Sequence, residues 1–243
     1  MVSQDRKQEL LRQHFLLRHL RDRDLNRLAM VARIEQAAEG EQILQKGDAG
    51  SNMMVVIEGR VLIYASSPEG KEIVFNIIGA EEVFGEIAVL DGKGRLADAK
   101  ALEPTRYLVL ERRHLVPFLE SAPKVCVDLL CLLCERLRST NEQLEDAVFL
   151  DLAPRLARKL LAFSDHYGSA GPEDSVQIDL PLSQGDFAAM LGARRETVNR
   201  QLRAWVKDRL ISWEQGRITL LDLPKIHDIA EGLGPSAEPH GPL

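Results

Sequence analysis

Between Glu35 and Leu110 apolar residues come in short runs rich in Val, Ile and Leu, cut by glycine-bearing turns. The runs MMVVIEGRVLIYA (53–65), KEIVFNII (71–78) and TRYLVLE (105–111) are separated by Lys46-Gly47-Asp48, Ser67-Pro68-Glu69-Gly70 and Asp91-Gly92-Lys93-Gly94. β-branched runs of this length between turn signals predict an antiparallel β-roll or barrel. From Pro123 to Ala147 the period changes to that of a helix. Taking Cys126, Leu133, Thr140 and Ala147 as one heptad position leaves leucine at every turn of the other, Leu130, Leu137 and Leu144. Such a seam suits pairing with a second copy of the helix, and it also suits a helix docked on its own domain.

After Asp151 the chain reads as helical from Pro154 to Tyr167, turn-rich from Gly168 to Ser175, and then as a helix pair joined at Gly192, Leu182–Leu191 and Arg194–Lys207. Leu210 to Leu221 alternates as a hairpin whose turn is Gln215-Gly216. The tail from Gly234, with three prolines and two glycines in ten residues, is expected to be disordered. The divisions drawn are 1–122 for a β-roll, 123–150 for a long helix and hinge, 151–233 for a second domain and 234–243 for the tail.

The segment LSQGDFAAMLGARRETVNRQLRAW (182–205) fits a helix-turn-helix. Ser183 suits the N-cap, Phe187 and Leu191 the inner face, Gly192 the turn, and Val198 and Leu202 the packing of the second helix. Arg194, Arg195, Glu196, Asn199, Arg200 and Arg203 fall on its outer face. Over the whole chain of 243 residues the formal net charge is -6, which argues against binding nucleic acid by bulk charge. Between Arg194 and Arg217, however, seven basic residues stand against three acidic ones. Arginine at the start of such a helix can grip guanine O6 and N7 in the major groove, and glutamate can accept from cytosine N4.

A second cluster sits in the first domain, at Phe84-Gly85-Glu86-Ile87-Ala88-Val89-Leu90 and Arg95-Leu96-Ala97. Gly85 lets backbone approach a ligand, the following turn offers free N–H groups, and Arg95 supplies a planar cation for a phosphodiester. Glu86 would accept a ribose hydroxyl, and without ligand it needs a partner, for which Arg95 is the expected one.

These residues carry a resemblance. RRETVNRQL resembles the recognition helix of the cyclic-AMP receptor protein/FNR superfamily of bacterial transcription regulators, and the Gly85–Ala97 segment resembles its phosphate-binding cassette. The resemblance runs from about Leu28 to Leu221. It implies an α+β fold with an N-terminal cyclic-nucleotide-binding β-roll of jelly-roll type, a long dimerisation helix and a C-terminal winged helix-turn-helix. It implies a homodimer, a cAMP or cGMP effector rather than a resident cofactor, double-stranded DNA and RNA polymerase as partners, and a palindromic TGTGA-like target. Arg195, Glu196 and Arg200 map onto base contacts and Thr197 onto a phosphate contact, with Ser183, Arg194 and Asn199 in the same interface. The ligand set implied is Phe75, Asn76, Gly85, Glu86, Ile87, Ala88, Arg95, Leu96, Ala97, Arg136, Thr140 and Asn141. The alternative is a regulator of the same type with a different effector or with a vestigial pocket.

The sequence departs from the family where Leu96 replaces the usual hydroxyl residue after the cassette arginine, where Asp98 adds negative charge, and where Thr140-Asn141 replaces a Thr-Ser pair. Asparagine can donate to guanine O6 or accept from adenine N6, so it does not choose the base.

Other signals point away from other classes. Cys126, Cys131 and Cys134 lack a fourth partner for a cluster and point in different directions on a helix, which makes them core cysteines. Ser164-Asp165-His166 and His227-Asp228 are sequence neighbours that cannot assemble a triad or a two-metal site, so no enzyme is expected. The most apolar stretch, Val125 to Cys134, contains Asp128 and is too short to span a bilayer. No signal peptide is read at the N-terminus, and a cytoplasmic protein is expected.

Overall fold

The computed structural model describes residues 4–13, 22–214 and 216–233. The tail from Gly234 and Gln215 of the hairpin turn lie outside the described residues. The chain divides into two compact units, Met1–Ser139 and Thr140–Leu243.

The first unit opens with α1 (Gln4–Gln13) and α2 (Asp22–Val31), followed by β1 (Arg33–Ala37), β2 (Gln42–Leu44), β3 (Asn52–Glu58), β4 (Val61–Ser66), β5 (Glu72–Ile78) and β6 (Val83–Phe84). Then come α3 (Glu86–Asp91), β7 (Asp98–Ala101), β8 (Thr105–Glu111), α4 (Arg112–Ser121) and α5 (Pro123–Phe149), the last continuing into the second unit. One antiparallel sheet runs in the order β1-β8-β3-β6 and another β2-β7-β4-β5.

Side-chain alternation along β3 explains how the layers stack. Met54 and Val56 face a core between the sheets with Val61, Ile78, Phe84, Ala99, Ala101 and Val109. Met53 and Val55 face the opposite way, toward Leu11, Leu25 and Leu28 of the first helices, Leu115 and Leu119 of α4, and Val125 and Leu129 of α5. A strand buried on both faces needs apolar residues at consecutive positions, which is why MMVV is unbroken. This is the expected β-roll, with helices on one side. Two helices precede β1 that the sequence reading does not contain: α1, whose sequence has only two apolar residues, and α2, which buries Leu25, Leu28 and Ala29 on one face.

The second unit holds the C-terminal turns of α5, then α6 (Leu152–Tyr167), β9 (Gly168–Ala170), a 3-10 turn (Pro172–Asp174), β10 (Val176–Ile178), α7 (Gln184–Leu191), α8 (Arg195–Lys207), β11 (Ile211–Glu214), β12 (Arg217–Leu220) and α9 (Leu223–Ala230). Its sheet runs β11-β12-β10-β9. The stretch read as turns from Gly168 thus includes strand β9, which pairs with β10. Leu156, Ala157, Leu160 and Phe163 recur along α6 at helical spacing and are buried. No helix among the described residues is long and apolar enough to cross a membrane.

Candidate functional site

The cassette in the first unit is built around Gly85, which caps α3 with φ of 76°. A left-handed residue here turns β6 into α3, and a side chain would be strained in that conformation. It would also collide, since an added Cβ would lie 2.7 Å from Nη1 of Arg95. Gly50 is equally confined, its place for a Cβ being 2.1 Å from Cβ of Ala88. The loop carrying Arg95 is fixed by its backbone, with the Gly47 N–H donating to the Arg95 carbonyl at 2.9 Å and the Arg95 N–H to the Asp48 carbonyl at 2.8 Å.

The Arg95 side chain is 6% exposed. Its guanidinium donates to the carbonyl of Asn52 at 2.7 Å, to the carbonyl of Gly85 at 2.8 Å, and to Oδ1 of Asn52. Burial pushes its pKa down, and the charges of Glu86 and Asp48 oppose that shift. Glu86 is 1% exposed and is bound not by Arg95, as expected, but by Arg136 of α5. Nη1 of Arg136 donates to Oε1 of Glu86, and Nη2 donates to the Val83 carbonyl. Arg95 is already held by oxygens of β3 and of the β6–α3 turn, while α5 passes close enough to the first turn of α3 for Arg136 to reach.

Gly85, Glu86, Arg95 and Arg136 therefore come together. Ala88 is buried, Ile87 and Ala97 are half-buried, and Leu96 stands 64% exposed. Phe75 is the extra residue of a bulge in β5, between Val74 opposite Tyr64 and Asn76 opposite Ile63, and both Phe75 and Asn76 are exposed. A bulge re-aims the side chain it carries. Asp98 accepts from the Lys46 N–H at 2.9 Å and from Nε2 of Gln42 at 3.4 Å. Thr140 and Asn141 are exposed on α5.

The helix α5 corrects the phase of the leucine stripe. Leu130, Leu137 and Leu144 are 60–63% exposed, and the positions that alternate with them on the exposed face are Val127, Cys134, Asn141 and Val148. Of the line Cys126, Leu133, Thr140 and Ala147, the first two are half-buried and the last two are exposed, so the difference lies in the N-terminal half of the helix. The physical reason is the docking of Val125 and Leu129 into the core, which turns their neighbours inward. Only Cys126 is a core cysteine, its Sγ 3.2 Å from the Leu119 carbonyl, whereas Cys131 and Cys134 are exposed.

In the second unit Ser183 caps α7 in a reciprocal box. Its hydroxyl accepts from the Asp186 N–H at 3.1 Å, and the Asp186 carboxylate accepts from the Ser183 N–H at 2.8 Å. Gly192, at φ 55°, ends α7 in the left-handed conformation, and α8 starts at Arg195. Val198, Leu202 and Trp205 bury one face of α8. The other presents Arg194, Arg195, Glu196, Arg200 and Arg203 to solvent, with Thr197 and Asn199 half-buried beside them. Phe187 of α7 stacks edge-on against Trp213 of β11, which seats the hairpin behind the helix pair. A helix with a basic exposed face, an apolar buried face and an adjoining hairpin can enter a DNA major groove with the hairpin as a wing.

Comparison with known proteins gives two family matches: the cyclic nucleotide-binding domain over residues 34–122 and the Crp-like helix-turn-helix domain over residues 154–229. A CRP-like cAMP-activated global transcriptional regulator of Mycobacterium tuberculosis is 30% identical over 173 residues, which cover 69% of this chain and 77% of the relative. The cyclic AMP receptor protein of Thermus thermophilus is 29% identical over 80% of this chain and 87% of its own. Among solved structures, FixK2 from Bradyrhizobium japonicum superposes with a TM-score of 0.74 at 21% identity, covering 85% of this chain and all of that one, a likeness of fold.

Proposed function

This chain belongs to the CRP/FNR superfamily of DNA-binding transcription regulators, and we propose that it is a homodimer whose grip on DNA is set by a cyclic nucleotide, cAMP or cGMP. The observation that carries the reading is the cassette, where Gly85, Glu86, Arg95 and Arg136 meet within one compact unit. A cyclic nucleotide would place its phosphodiester at the cassette loop and its ribose hydroxyl at Glu86. Thr140 and Asn141 are the candidates for the base. The dimer forms through the exposed stripe of α5, where Leu130, Leu137 and Leu144 alternate with Val127, Cys134, Asn141 and Val148, and Asn141 supplies the polar position that fixes register. Two recognition helices then address a palindrome of TGTGA-like half-sites about 34 Å apart, one turn of DNA. Arg195 and Arg200 contact guanine, Glu196 contacts cytosine, and Ser183, Arg194, Thr197 and Asn199 hold the backbone around them. Ligand shifts the population toward the dimer arrangement that fits DNA, and bound dimer recruits RNA polymerase in the bacterial cytoplasm. On this reading residues 1–122 form the effector domain, 123–150 the dimerisation helix and 151–233 the DNA-binding domain.

One observation favours a second reading. Three of the five N–H donors of the Arg95 guanidinium are committed to Asn52 and Gly85, and the neighbouring position is an exposed leucine rather than a hydroxyl. A regulator with a different effector, or with none, fits that arrangement. Calorimetric titration with cAMP and cGMP in parallel separates the two. Saturable binding of one nucleotide, abolished in Arg95→Ala, supports the first reading, and no heat with either supports the second.

A further inference from the structure

The chain leaves the helical path between α5 and α6, where Asp151 is extended at φ -64° and ψ 168°. A break of this kind between a dimerisation helix and a DNA-binding domain would ordinarily be free to bend. Here it is spanned. Asp146, on the last full turn of α5, accepts from Nη1 of Arg158 on α6 at 2.6 Å. The same guanidinium donates through Nε to the carbonyl of Ala230, the last residue of α9, at 3.0 Å. One turn earlier on α6, Arg155 donates to the carbonyl of Leu191, the last residue of α7. Burial lowers the pKa of Arg155 and of Lys159, and in both cases the charge of Asp146 opposes the shift, so one carboxylate faces three cations on a single face of α6. That face also satisfies the C-terminal carbonyls of two helices of the winged domain, groups that have no partner within their own helices. The compact unit that contains the winged helix accordingly begins at Thr140, inside α5 and before the break.

We propose that Asp146 and Arg158 form a latch that joins the last turns of α5 and the winged domain into one body, so that a rotation of α5 carries the recognition helix with it. Leu150-Asp151 is then a rigid corner and not a hinge. The regulatory consequence rests on the ligand-responsive reading above, whereas the mechanical claim does not.

Four forms of the full chain decide it: wild type, Asp146→Ala, Arg158→Gln and the double variant, with Asp146→Glu as the conservative control. Hydrogen exchange without ligand is followed at the backbone amides of residues 147–153. The latch predicts at least tenfold faster exchange in each single variant, no further gain in the double variant, and a rate within twofold of wild type in Asp146→Glu. Equal exchange in wild type and Asp146→Ala would overturn it. In parallel, affinity is measured for a duplex with two inverted TGTGA half-sites one turn apart, with and without cAMP. The latch predicts that Asp146→Ala binds the duplex at least fivefold more weakly while its cAMP affinity is unchanged. Unaltered duplex affinity and cAMP response in that variant would overturn the coupling. A wild type indifferent to cAMP would defeat cAMP as the effector alone, leaving the exchange rates to decide the latch.

Discussion

Glu86 and Arg136 stand 50 residues apart in the chain and form an ion pair whose carboxylate is 1% exposed. The pair fastens the first turn of α3 to α5, and its second guanidinium arm holds the carbonyl of Val83, the first residue of β6. A ribose hydroxyl that bonds Glu86 would therefore act on the carboxylate that anchors the long helix.

Removing Arg136 leaves that carboxylate buried without its ion-pair partner, with the charge of Arg95 still acting on it. Because the Arg136 side chain is 26% exposed, water reaches the site and the loss stays below that of a fully buried pair. Arg136→Ala is expected to cost about 2 kcal/mol of stability, and Glu86→Gln less, since a neutral amide needs no counter-ion. The thermal midpoints of the two variants, compared under one buffer, check the order.

The exposed Leu96 can be exchanged with little effect on packing. Leu96→Ser restores a hydroxyl beside the cassette arginine, and a hydrogen bond worth about 1 kcal/mol corresponds to roughly fivefold tighter nucleotide binding. Calorimetry on wild type and variant reads this directly. Weaker binding by the serine variant would mean that the phosphodiester lies elsewhere.

On α5 the apolar stripe lies outside the protomer's own core, so polar changes in it are expected to separate copies without unfolding them. Leu137→Lys should give a monomer in sedimentation equilibrium, with the protomer's circular dichroism retained. Asn141→Val should tighten the dimer, because the asparagine at such a position trades stability for register.

For DNA, Arg195→Ala and Arg200→Ala are each expected to lose about 1–3 kcal/mol on a TGTGA-bearing duplex, and to lose most of the preference over a scrambled one. Thr197→Val should weaken both duplexes alike. Competition binding at one fixed salt concentration distinguishes base contacts from backbone contacts.

The features legible in the sequence are the local ones. Ser183 and Gly192 announce the ends of α7 by capping chemistry that needs only a few neighbours, and the alternation in TRYLVLE marks a strand without reference to its partners. The phase of the α5 stripe was not legible for a definite reason. Leu130, Leu137 and Leu144 belong equally to a line with Cys126 and Leu133 or to one with Val127, Cys134 and Asn141. The choice is made by which side of the helix docks, through Val125 and Leu129, and that is a tertiary fact. The partners of Glu86 and Arg95 were hidden likewise. Arg136 and Asn52 lie 50 and 43 residues away from them, and nothing in the intervening sequence signals the contact. The strand β9 is three exposed residues whose existence depends on pairing with β10.

The central claim is that nucleotide binding governs DNA binding, and fluorescence anisotropy of a labelled duplex carrying inverted TGTGA half-sites tests it most directly. The account predicts that saturating cAMP or cGMP raises the affinity of the wild-type protein at least tenfold, about 1.4 kcal/mol of coupling, and that Arg95→Ala abolishes the increase. Equal affinity for the duplex with and without either nucleotide would contradict it.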